Sequence, residues 1–120
     1  MARLTRSVGH ATNGLMYVLK HEANARIHLL FAIGVMVIGL VLQVATTGLA
    51  ALMFAIILVF LAEIINTAFE KTLDLVEPNH HPQVKLVKDM AAGAVLVTAV
   101  AAVSIGAVIF TPYLVKLWLR

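Results

Sequence analysis

The stretch GLAALMFAIILVFLAEIINTAFEKTLD, residues 48–74, is uncharged for its first fifteen positions and carries three carboxylates and an amide in its last twelve. A bilayer-crossing helix needs about 20 apolar residues at about 1.5 Å each. The uncharged part alone falls short, so the stretch qualifies only if its polar end belongs to the same helix. At about 100° per residue, Glu63, Asn66, Glu70 and Asp74 fall within an arc of about 80°. Three carboxylates and an amide thus form one stripe on an otherwise apolar helix. Carboxylates in such a place are costly and face a partner or a functional cavity. A wet helix end explains Asp74 and part of Glu70. It does not explain Glu63, which is followed by Ile64 and Ile65. Glu63 lies roughly 22 Å along the axis from Gly48, near the inner edge of a hydrocarbon layer, and Glu70 roughly 10 Å further out. The stripe bridges two solvents.

Working outward, two more blocks read as spans. One runs from about Ile27 to Ala45, and the other carries no charge from Met90 to Val115. The 120 residues are 62% hydrophobic and 12% charged, against roughly 45–50% and about 25% in soluble domains, which excludes a water-soluble globule. Arg3, Arg6, Lys20 and Arg26 precede the first block, and Lys71, Lys85 and Lys88 flank the connection between the second and third. The positive-inside rule then places the N-terminus and the 75–88 connection in the cytoplasm, against the minor contrary weight of Lys116 and Arg120. Nine basic residues against six acidic ones, with few aromatics and no basic run, suit a membrane surface and not nucleic acid. With no cysteine, disulfides, thiolate metal sites and cysteine nucleophiles are excluded.

Residues 2–24 have a different pattern. Leu4, Val8, Ala11, Leu15, Val18 and Leu19 recur at helical spacing, while Arg6, His10, Asn13, Tyr17, Lys20 and Asn24 gather opposite. That pattern predicts an amphipathic helix in the membrane interface. It is not a cleavable signal, because no apolar core follows the first arginines. The reading is an all-α integral membrane chain of one domain, 1–120, with helices over 2–24, 27–45, 48–74 and 84–116. Pro78 and Pro82 break the last connection. Small residues at Ala91, Ala92, Gly93 and Ala94 suit close helix packing. Histidine spacing is not zinc-like: His80 and His81 are adjacent, and His21 and His28 are seven apart. Nucleotide motifs of the Walker, Rossmann and protein-kinase types are absent.

The segment EIINTAFEKTLD, 63–74, followed by KDMAAGAVL, 88–96, resembles the signature of the prokaryotic diacylglycerol kinase family, which includes undecaprenol kinases. The resemblance covers essentially the whole chain, and KHEANARIH, 20–28, is more similar to the Gram-positive-type, undecaprenol-kinase branch than to the enterobacterial one. It implies a homotrimer of three-span protomers in the bacterial plasma membrane, with active sites shared between protomers at the cytoplasmic face. The implied reaction moves the γ-phosphoryl of MgATP to a lipid hydroxyl. By position, Glu63 matches the family's catalytic base, and Glu22 and Glu70 match the carboxylates that hold Mg²⁺ with the ATP phosphates. Asn66, Asp74, Lys88 and Asp89 match its other polar site residues, and Arg3 a basic residue near the nucleotide. Two positions depart from the family: His10 stands where tyrosine is common, and Asn79 where one branch has an acid that recognises adenine.

A competing expectation is a small proton- or cation-coupled transport subunit with Glu63 and Glu70 as a relay. Intramembrane acids alone support it, and it leaves Lys88-Asp89 and the basic N-terminal helix unexplained. Phosphoryl transfer needs cationic charge on phosphates and a base near the attacking hydroxyl, and two carboxylates suit a hard ion. Undecaprenol and diacylglycerol each offer one hydroxyl, and the branch resemblance favours undecaprenol.

Overall fold

A computed structural model describes residues 2–79 and 81–119, so Met1, His80 and Arg120 lie outside the described residues. Among the described residues the regular elements are four helices: α1 (Ala2–His21), α2 (Ala23–Val41), α3 (Thr46–Val76) and α4 (Pro82–Trp118). Helices α2, α3 and α4 are long and apolar enough to cross a membrane.

The boundaries differ from the sequence expectation for local reasons. Between α1 and α2 only Glu22 leaves helical geometry, with φ −103° and ψ 118°. The first span helix therefore begins at Ala23 and not near Ile27. It also stops at Val41, short of Ala45, because Gln43 turns into the left-handed region at φ 53°. The N–H of Val44 then donates to the Gly39 carbonyl at 2.9 Å and that of Gln43 to Leu40 at 3.1 Å. This is a Schellman stop, with glutamine where glycine is usual. Pro82 does not break a helix but opens one. It sits in the first turn of α4, where its missing N–H costs nothing, and the His81 ring nitrogen accepts from the Gln83 N–H at 3.2 Å.

The α2–α3 turn folds the two helices antiparallel, and small residues let them close. A Cβ added at Gly39 would come within 2.9 Å of Leu49 Cδ2, and one at Gly48 within 2.8 Å of Val44 Cγ1. The run at 91–94 does not serve this purpose within one chain, since a Cβ at Gly93 would meet nothing within 4 Å. Helix α4 packs along α3, and the Tyr113 hydroxyl near its far end accepts from the Ala45 N–H at 3.2 Å. The buried face of α3 is Leu52, Ala55, Val59, Glu63, Asn66 and Thr67, which is one helical stripe. Helix α4 has no fully buried residue. Apolar side chains such as Phe54, Val103 and Val108 point outward, which suits hydrocarbon or further protein around the helices.

Candidate functional site

The polar stripe of α3 lies on the helix face that turns inward, and its burial falls off along the chain. Glu63 is 2% exposed, Thr67 3% and Asn66 8%. Glu70 is half-buried and Asp74 exposed. One carboxylate oxygen of Glu63 (Oε2), the Asn66 carbonyl oxygen and the Thr67 hydroxyl are buried without a hydrogen-bond partner. An orphaned buried polar atom costs about 1–3 kcal/mol, so three on one face mark a place prepared for something else to bind.

The neighbouring helices bring further polar groups to this stripe. Asn66 donates its side-chain N–H to Glu70 Oε1 at 3.3 Å, which fixes that carboxylate. The kink at Glu22 aims its half-buried side chain toward α3, where Lys71 Nζ stands 3.6 Å from Oε1. The groups acting electrostatically on Glu63 are His28, Glu22 and Glu70. Three carboxylates, two from α3 and one from the α1–α2 junction, thus share one region. At its outer end Lys88 of α4 pairs with Asp74 of α3, and one turn of α4 carries a Lys85–Asp89 pair at 2.9 Å.

Of the residues that the sequence singles out, Glu22, Glu63, Asn66 and Glu70 gather here, and Asp74, Lys88 and Asp89 line the exposed end. Arg3 and His10 do not join them within one chain. Both are exposed on α1, and the Arg3 backbone carbonyl accepts from the Ser7 hydroxyl at 3.0 Å. Asn79 lies in the exposed α3–α4 connection, with its backbone N–H on Glu77 Oε1 at 3.2 Å. Two site residues escaped the sequence reading. Thr67 is one turn on from Glu63 and about 20° beyond the edge of that arc, so counting hydroxyls with the acids and the amide finds it on a slightly wider stripe. His28 was read only for metal spacing.

Among the described residues no group of three or more His, Asp or Glu side chains is placed to hold a metal ion by itself. Glu22 and Glu70 nevertheless offer hard oxygen donors, which is the pattern for an ion that completes its shell with phosphate and water. Beside the stripe runs an apolar groove of about 430 Å³ between α2, α3 and α4. It extends from Phe110 and Leu52 at one end to Ile27, His28 and Phe60 at the other, one turn short of Glu63. The arrangement can hold an apolar chain, present its polar end to a buried carboxylate, and keep a charged water-soluble group at the rim.

Comparisons with known proteins agree with this picture. Residues 9–110 match the family described as prokaryotic diacylglycerol kinase. The chain is 37% identical to the undecaprenol kinase of Bacillus subtilis, over 93% of this chain and 91% of that protein. It is 36% identical to a diacylglycerol kinase of Synechocystis, over 92% of this chain and 64% of the relative. Against the diacylglycerol kinase of Escherichia coli K12 the identity is 29%, over 84% and 83% of the two chains. The higher identity to the Bacillus protein than to the enterobacterial one follows the order implied by residues 20–28. The transport-subunit expectation is left without support. An all-helical chain with three helices able to span a membrane, an inward acidic stripe and this match over most of its length belongs to the prokaryotic diacylglycerol kinase family of membrane-embedded lipid kinases.

Proposed function

We propose that the chain transfers the γ-phosphoryl of MgATP to the hydroxyl of a membrane lipid, undecaprenol or diacylglycerol, at the cytoplasmic face of a bacterial plasma membrane. The observation that carries this reading is Glu63, buried at 2% exposure with one carboxylate oxygen unpartnered. It stands where the apolar groove meets the polar stripe. A buried carboxylate has no structural reason to be there, whereas a base that must meet a lipid hydroxyl has to sit at that depth.

In this reading Glu63 takes the proton from the lipid hydroxyl as its oxygen bonds to the γ-phosphorus. The bond from the γ-phosphorus to the bridging oxygen breaks, and ADP leaves. Glu22 and Glu70 hold the Mg²⁺ that accompanies ATP, and Asn66 keeps Glu70 oriented. When bound, that ion supplies positive charge to the phosphate oxygens. Lys88 adds a cation at the rim once it leaves Asp74, and Asp89 lies beside it. Arg3 and His10 reach the nucleotide from α1, and Asn79 borders it from the α3–α4 connection. The chain acts as a homotrimer in which neighbouring protomers share each site. A single chain supports this by leaving α4 without a buried residue and α1 with Leu4 at 72% exposure.

The test uses purified chain in mixed micelles with γ-labelled MgATP and equal amounts of undecaprenol and dioleoylglycerol. Label should enter the organic phase, with undecaprenyl phosphate as the preferred product. ATP hydrolysis without lipid labelling, or no ATP use at all, would overturn the reading.

A further inference from the structure

Two contacts fix the register of α2 against α3: Gly39 faces Leu49 and Leu52 near the turn, and Glu22 meets Lys71 at the open end. Eleven residues back from Gly39 brings α2 to His28, and eleven on from Leu49 and Leu52 brings α3 to Phe60 and Glu63. Counting from the other contact, six residues on from Glu22 is His28 and six back from Lys71 is Ile65. His28 therefore lies across from the stretch 60–65 of α3, which includes Glu63, and on the α2 face that also carries buried Ala25 and Gly39.

The other described histidines have visible employment or lie in solvent. The ring of His21 is bonded to the Tyr17 carbonyl at 2.9 Å, His81 caps α4, and His10 is exposed on α1. His28 is half-buried, and among the described residues nothing accepts a hydrogen bond from its ring. It is also the one polar residue among the described residues that line the apolar groove. A neutral imidazole has one N–H donor. Leaving that donor unused beside hydrocarbon is costly unless a ligand takes it. On α3, Glu63 Oε2 is a buried acceptor without a partner.

We infer that His28 is a positioning residue for the lipid acceptor: its ring N–H donates to the hydroxyl oxygen of a lipid whose chain lies in the groove, while Glu63 accepts that hydroxyl's proton. The inference rests on the lipid-kinase reading. A hydroxyl held by one donor and one acceptor has a single orientation, with a lone pair left free for the incoming phosphorus. Without the donor, the chain still enters the groove and the hydroxyl rotates. The loss then falls on kcat and not on the binding of the lipid tail.

The experiment measures kcat and KM for lipid in the wild type, His28→Leu, His28→Phe and His28→Gln, with assembly checked by size exclusion in detergent. An active wild type tests the kinase reading separately. If it is active, His28→Leu should lose about tenfold or more in kcat with lipid KM within about threefold. His28→Gln, which keeps an N–H donor, should return to within about threefold of wild type. Should the leucine variant fail to assemble, His28→Phe decides by the same criterion. An active wild type with a donor-free variant within threefold in kcat, or with glutamine no better than leucine, overturns the role of His28.

Discussion

Replacing Glu63 by methionine should make the protein more stable while removing its activity. Glu63 is 2% exposed and one of its oxygens has no partner. Folding therefore strips that carboxylate of water and returns no hydrogen bond to Oε2. A buried unsatisfied polar atom costs about 1–3 kcal/mol, and a carboxylate placed at the centre of a membrane helix costs about 2.5–3.5 kcal/mol on insertion scales. Glu63 sits nearer the inner edge than the centre, so the lower range applies. Methionine is unbranched, of similar length and a good helix former, so it relieves the cost without opening a cavity. Unfolding by added SDS in mixed micelles should show the Glu63→Met variant more stable by about 1–3 kcal/mol. Glu63→Gln should gain less, because its amide brings a donor and an acceptor that are equally unmet. A methionine variant at or below wild-type stability would show that the carboxylate stabilises the folded protein, and the case for its retention as a chemical group would fail.

Three further outcomes follow from the same geometry. Glu22→Gln and Glu70→Gln should each raise the Mg²⁺ concentration needed for half-maximal rate, and the double variant should cost much less than the two losses combined. Strictly additive losses would argue against one shared ion. Mixing Glu63→Gln protomers with Glu22→Gln protomers should restore activity if neighbouring chains complete each other's sites, whereas a dead mixture with cross-linked mixed oligomers would exclude shared sites. At the α2–α3 turn, Gln43→Gly should stabilise by about 0.5–1 kcal/mol in the SDS titration, since only glycine adopts φ near 53° without strain. A destabilised glycine variant would mean that the glutamine side chain contributes a contact of its own.

Much of the site was legible in the sequence because one helix carries most of it. Helical spacing alone put Glu63, Asn66, Glu70 and Asp74 on a single face, and that face is the one the structure turns inward. Thr67 lies one turn on from Glu63, but a hydroxyl on a helix gives a weaker signal than a charge, because it can bond to its own backbone. What periodicity cannot supply is register between helices. Nothing in the order of residues says that Gly39 meets Leu49 and Leu52, which brings His28 to the level of residues 60–63 of α3. That depends on where the turn closes, which is set by Gln43 adopting a backbone conformation more usual for glycine. Proline misled for a related reason. It is read as a breaker, yet at the first turn of α4 it is a helix starter. The small residues at 91–94 show the opposite limit: their pattern suits close packing, but one chain provides no helix against Gly93.

The most direct test of the account is the turnover of Glu63→Gln. The substitution keeps the size and shape of the side chain and removes only its ability to take a proton. Phosphoryl transfer from γ-labelled MgATP to lipid should fall to background in a variant that inserts and assembles as the wild type does. Turnover within tenfold of wild type would mean that Glu63 is not the base, and the buried stripe would need another explanation.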